Sequence, residues 1–172
     1  MLKIRRLKNK SVTKLAALFP AIADRLIKAH LPLESKDVPW TPVVKPLAES
    51  KIALITTAGI HHRSQKPFDM ADPQGDPTYR ILDRDTIVSD YTITHDYYDH
   101  RDADTDLNIV LPIKRISEMQ TAGVIGTVAK KHYSFMGHIM GSYVPDLVGI
   151  KAPEVAALLA EDRVDAVLLT PA

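Results

Sequence analysis

The chain has 172 residues, 45% hydrophobic and 25% charged, the composition of one ordinary globular domain with a core of its own. Twenty-two basic residues against 21 acidic ones leave a net charge of +1, which gives no support to nucleic-acid binding. Cysteine is absent, so a disulfide framework and a thiolate zinc site are excluded for this stretch, and no apolar run approaches a membrane span. The basic N-terminus lacks the continuous apolar core and small-residue cleavage site of a secretory signal, so the expected compartment is the cytoplasm.

Charge is segregated along the chain. Residues 1–31 hold eight basic residues and the single acid Asp24, whereas residues 69–106 hold eleven Asp, no Glu and three Arg. Asp without Glu points to loops and turns, because Asp competes with the helix for backbone hydrogen bonds.

In chain order, residues 1–10 read as a basic lead-in. Ser11 is a candidate cap for a helix through about Ala29, with Leu15, Leu18, Ile22, Leu26 and Ile27 on one face and a kink at Pro20. Residues 1–37 are thus expected to form a basic amphipathic helical segment. It packs on the domain in one reading and docks a partner or an acidic membrane in the other. Pro32, Pro39, Pro42 and Pro46 around Trp40 mark an extended connector. Residues 38–172 form the second expected unit, an α/β domain.

Within that unit Ile52 to Ile55 read as a short buried strand, left by the turn Thr56-Thr57-Ala58-Gly59. Residues 63–86 carry turn signals. Thr86 to Thr94 alternate as a strand, residues 112–122 read as a helix ended by Gly123, and Val124 to Ala129 read as a strand. Pro153 opens a helix over 153–161, and Val164 to Leu169 are the last strand. The alternation of strands and helices predicts an α/β fold with a partly parallel sheet and helices packed on it.

Three loops gather reactive side chains. The single Gly59 after a strand makes neither a dinucleotide fingerprint nor a phosphate loop, though the backbone N–H groups of that turn could hold an anion. His61, His62, His95, Asp96, Asp99, His100, Asp102, Asp104 and Asp106 supply imidazole and carboxylate, the raw material of a metal-dependent enzyme. Their spacing matches no metal motif, and a solvated acidic loop is the plainer reading. His132 and Ser134 share a face of an extended segment, without the elbow of a serine hydrolase; a buried aromatic turn accounts for them as well.

Eight segments recur in an order that carries a resemblance. They are V-P-W-T-P with K-P-L (38–47), K-I-A-L-I-T-T-A-G-I-H (51–61), P-F-D-M (67–70), G-D-P-T-Y-R (75–80), I-T-H-D-Y-Y-D (93–99), D-A-D-T-D-L-N (102–108), G-V-I-G-T-V-A-K-K-H-Y-S-F-M-G (123–137) and V-D-A-V-L-L-T-P (164–171). The set resembles the selenoprotein B family of glycine, sarcosine, betaine and D-proline reductases, in its short stand-alone form, over about residues 38–172. The resemblance implies an oxidoreductase that cleaves C–N bonds reductively. Its substrate would be a small amine or amino-acid-like molecule. Its partners would be a subunit bearing a pyruvoyl group and a thioredoxin-like or dithiol electron donor, with a homo-oligomer as a further expectation.

In that family the strand matching residues 164–171 leads into a redox motif of selenocysteine or cysteine. The resemblance therefore places the nucleophile just after Ala172, the C-terminal part of the domain being missing, with UGA read as a stop as the expected cause. The strand-end residues Thr56, Gly59 and His61, His95 and Asp99, His132 and Ser134, and Thr170 are the expected site lining. His61 or His132 is the candidate general acid to a leaving amine. A catalytically silent partner-binding domain is the third class of reading.

Overall fold

The computed structural model describes residues 2–19, 21, 24 and 41–172. The predicted continuation of the first helix past these residues, with Pro20, Ile22, Leu26 and Ile27, lies outside them, as do Pro32, Pro39 and Trp40.

Helix α1 (Leu2–Leu18) begins at the basic lead-in, nine residues before the expected cap. Lys, Arg and Leu are good helix formers, and nothing in residues 2–10 breaks the run. Ser11 sits inside the helix, where its hydroxyl donates to the carbonyl of Leu7 at 2.9 Å. Leu15 and Leu18, expected on a packed face, are 47% and 72% exposed.

Among the described residues the core sheet has five strands. β1 (Lys51–Thr56) lies at its centre and is parallel to β5 (Thr127–Val128), β6 (Lys131–Ser134) and β7 (Ala166–Thr170). β3 (Arg80–Asp83) pairs antiparallel with β6 and forms one edge. β2 (Ile60–His62) and β4 (Tyr91–Ile93) make a separate antiparallel ribbon. A strand has two flanks, and β7 occupies one flank of β1, so β5 and β6 share the other. Ile52 faces Val128 but Ile55 faces Tyr133, so two extra residues are accommodated between β5 and β6. The ladder is broken there as at a bulge.

The faces of β1 alternate as the pleat requires. Ile52 and Leu54 pack with Val128, Ile113 and Ile116 against α3 (Ile113–Thr121). Ile55 packs with Tyr133, Phe135, Val155, Leu158 and Leu159 against α5 (Ala152–Glu161). The short α4 (Tyr143–Asp146) runs through a π-helical turn at Leu147–Lys151 into α5. A further short helix, α2 (Arg101–Thr105), occupies part of the acidic segment read as a loop.

Three strands escaped the sequence, the first being β2, which starts directly after the turn that ends at Gly59. β3 falls in the segment read as turns, and β6 carries His132, Tyr133 and Ser134, a polar run that is fully buried. The expected strand over 86–94 is reduced to Tyr91–Ile93, preceded by a 3-10 turn at Val88–Asp90. The strand expected over 124–129 keeps only Thr127 and Val128.

Candidate functional site

Parallel strands that share a direction bring their carboxyl ends together, and here the register makes the alignment tight. Thr56 lies opposite Ser134 on one side and Thr170 on the other. The chain leaving β7 folds over the turn after β1: the N–H of Thr57 donates to the carbonyl of Thr170 at 3.2 Å. The N–H of Ala172 donates to the Thr57 hydroxyl at 3.0 Å. Gly137 makes room for this crossing, since a Cβ there would sit 3.2 Å from the carbonyl oxygen of Ala172 and 3.3 Å from that of Thr57.

The turn does not serve as an anion cradle. The N–H of Ala58 donates to the Thr56 hydroxyl at 3.2 Å, that of Gly59 to the carbonyl of Phe135 at 2.9 Å, and that of Thr57 is taken by Thr170. All three donors are spent within the fold, which fits a plain tight turn and leaves none of these N–H groups for an anion.

Loop 94–101 is clamped onto the same turn. The N–H of Thr94 donates to the carbonyl of Gly59 at 2.9 Å, and the Tyr98 hydroxyl to that of Ala58 at 3.2 Å. His61 is 2% exposed and uses both ring nitrogens. Nδ1 lies 2.9 Å from the His62 carbonyl, so it carries the proton, and Nε2 accepts from the Thr94 hydroxyl at 2.9 Å. His95 is 4% exposed, its Nδ1 accepts from the Tyr97 N–H at 3.1 Å, and it packs on Tyr98 with ring centroids 4.8 Å apart. Burial, with the neighbouring His138 and His100, pushes its pKa down to about 4. The Asp99 carboxylate is gripped by the Arg101 guanidinium, with Nη2 to Oδ2 at 2.6 Å, which holds it below the usual carboxylate range. The pair is exposed to solvent.

His132 repairs the broken ladder. Its Nδ1 accepts the Leu54 N–H at 3.0 Å, on the flank of β1 where the extra residues between β5 and β6 leave that donor without a strand partner. Burial is the main cause that pushes its pKa down to about 4, with Arg84 adding to it. The nitrogen that would deliver a proton is buried with the rest of the ring. Thus the structure brings together Thr56, Ser134 and Thr170, with Gly59 and the loop of His61 and His95 behind them. His132 belongs to the sheet.

The serine and the threonine beside Thr56 differ in how they are satisfied. The Thr170 hydroxyl donates to the Val110 carbonyl at 2.8 Å, whereas the buried Ser134 hydroxyl has no hydrogen-bond partner among the described residues. Thr170→Val is therefore expected to cost about 1 kcal/mol, and Ser134→Ala to be neutral or stabilising, as read by urea denaturation.

Sequence reasoning missed the apolar side of the site. A cavity of about 440 Å³ opens between the ends of β1 and β6 and helices α4 and α5, lined by Ile55, Phe135, Met136, Val155 and Leu159, with Thr57 as its polar rim. Only the pairing of β6 reveals that these residues meet. Among the described residues, no group of three or more His, Asp or Glu side chains is placed to hold a metal ion. No helix among them is long and apolar enough to cross a membrane.

The model of the glycine/sarcosine/betaine reductase selenoprotein B family matches residues 6–172. The chain belongs to that family. It is 37% identical over 131 residues to the D-proline reductase subunit gamma of Acetoanaerobium sticklandii, an alignment covering 76% of this chain and 52% of the relative. It is 32% identical over 142 residues to the glycine reductase complex component B subunit gamma of Symbiobacterium thermophilum, covering 81% and 32%. It is 30% identical over 135 residues to the sarcosine reductase complex component B subunit beta of Peptoclostridium acidaminophilum, covering 77% and 30%. The chain thus spans about half the length of the first of these relatives and about a third of the others. No solved structure matches significantly.

Proposed function

We propose that this chain is the scaffold portion of a selenol- or thiol-dependent reductase acting on a small amine or amino-acid-like substrate. The reacting centre would lie at the carboxyl ends of β1, β6 and β7. The observation that carries this is the register of Thr56, Ser134 and Thr170, with the backbone of Ala172 tied to Thr57 directly over the turn. In open α/β sheets ligands bind outside the carboxyl ends of the strands. A residue following Ala172 would emerge there, held by two hydrogen bonds to the turn and bordered by the apolar cavity.

A selenol or thiol at that position would supply the nucleophile, and a pyruvoyl group on a partner subunit would activate the amine. This chain's own residues fix the backbone that carries the nucleophile and exclude water on the α5 side through Phe135, Met136 and Val155. Electrons would come from a dithiol or thioredoxin-like donor. The family membership supports the reaction class; the relatives named for glycine, sarcosine and D-proline leave the substrate open among small amines.

The test is to read the codon after Ala172 and express the frame through it in a selenium-competent host. The expected product contains selenium, or a cysteine shortly beyond Ala172, and releases amine from a substrate in the presence of dithiothreitol and the partner subunit. A frame closed by TAA or TAG at that point rejects the proposal.

A further inference from the structure

The two edges of the core sheet are treated differently. The outer strand β3 carries Arg80 and Asp83, and its Ile81 carbonyl is capped by the Gln65 side-chain amide at 2.9 Å. Charges and capped groups of this kind keep an edge from pairing further. β7 has neither device: its sequence is Ala-Val-Leu-Leu-Thr, with no charge and no proline.

Its pairing shows which groups are open. The Thr170 carbonyl accepts from Thr57, the residue directly after β1, so Leu168 and Ala166 direct their backbone groups to β1 as well. Val167 and Leu169 then direct N–H and C=O outward. The side chains are apolar on both faces. Leu168, opposite Leu54, lies on the α3 face and is 44% exposed; Leu169, opposite Ile55, lies on the α5 face and is 66% exposed. An apolar run on both faces is the pattern of an interior parallel strand.

We infer that the outer edge of β7 is a docking edge for a further β-strand, supplied by polypeptide equivalent to the part of the relatives that this chain does not span. The length argues for that occupant: the chain accounts for 52% of the D-proline reductase subunit and about a third of the other relatives. The added strand would pair with Val167 and Leu169 and bring cover for Leu168 and Leu169. The inference follows from the family and the sheet, and is independent of where the redox nucleophile lies.

Amide hydrogen exchange tests it. In dilute solutions of the chain alone, Val167 and Leu169 should exchange freely while Leu168 and Thr170, bonded to β1, stay protected. In the intact D-proline reductase subunit gamma, the aligned positions of both sets should be protected, the outward pair slowed on the order of 100-fold or more. The substitution Val167→Pro removes an N–H that β1 does not use, so the chain should keep its melting temperature within a few degrees. Free exchange of the outward pair in the intact relative would overturn the inference. So would a dimer of this chain that protects Val167 and Leu169, which would make a second copy the occupant. Unfolding of the proline variant would show that the outward groups were misassigned and overturn it too.

Discussion

Acidification from pH 7 to 4 is expected to remove about 3 kcal/mol of folding stability for each of two buried histidines, His95 and His132. Both have pKa values pushed from 6.5 down to about 4, chiefly by burial. The sign follows from proton counting. An unfolded chain takes up the two protons as the pH falls through about 6.5, whereas the folded protein resists until about 4, so the stability is fully present above 6.5 and drains away between the two values. The interactions are not all of one sense: Asp96 opposes the shift at His95, and Asp83 and Asp162 oppose it at His132. Desolvation still dominates, because the rings are 4% and 0% exposed.

The check is a series of urea titrations from pH 7.5 to 4.5. The free energy should fall with a slope approaching two protons per molecule near the lower end. His132→Gln retains an acceptor for the Leu54 N–H and should halve that slope. His132→Ala should in addition cost about 3 kcal/mol at pH 7.5, because it leaves a buried N–H unpaired and a cavity beneath the sheet. A flat pH profile in the wild-type chain would contradict the burial of these two rings.

His132 also marks where the sequence stops being readable. The strand of β1, the α5 helix behind Pro153 and the strand of β7 are visible because each is an aliphatic run of the expected length or period. β6 was legible only as an extended segment or a buried aromatic turn, because Lys131, His132, Tyr133 and Ser134 carry no aliphatic alternation, and its place in the sheet depends on distant partners such as the Leu54 N–H, 78 positions away in the chain. The site divides in the same way. Thr56, Ser134 and Thr170 could be named as strand-end residues, but their alignment is a matter of register, which no local pattern fixes. The apolar cavity was invisible because it joins residues of β1 and β6 to α4, α5 and the π-helical turn between them, which are distant in the chain. For His61, His95 and Asp99 the residue types were legible in the sequence, whereas their partners Thr94, Tyr97 and Arg101 are fixed only by the fold.

The second large effect is expected from a single methyl group. Gly59 has φ of 71°, in the left-handed region, and a Cβ there would lie 2.6 Å from the Thr94 carbonyl oxygen and 3.2 Å from the His95 Cβ. Alanine pays the conformational cost of that φ, on the order of 1 kcal/mol, and then meets a backbone atom that cannot swing aside. Loop 94–101 must move, and with it go the Thr94 N–H bond to Gly59, the Tyr98 hydroxyl bond to Ala58 and the His61 bond to Thr94. We expect Gly59→Ala to cost about 3 kcal/mol in all, and to expose His95 so that its pKa climbs back toward the ordinary histidine value. Histidine NMR titration separates the two consequences. In a variant that remains folded, His95 should titrate well above 4 while His132, braced against Leu54 on the other side of β1's turn, should not move. If both histidines keep their low pKa values in Gly59→Ala, the loop does not rest on the strand-end turn, and the wall it gives the aligned ends of β1, β6 and β7 is not held by Gly59.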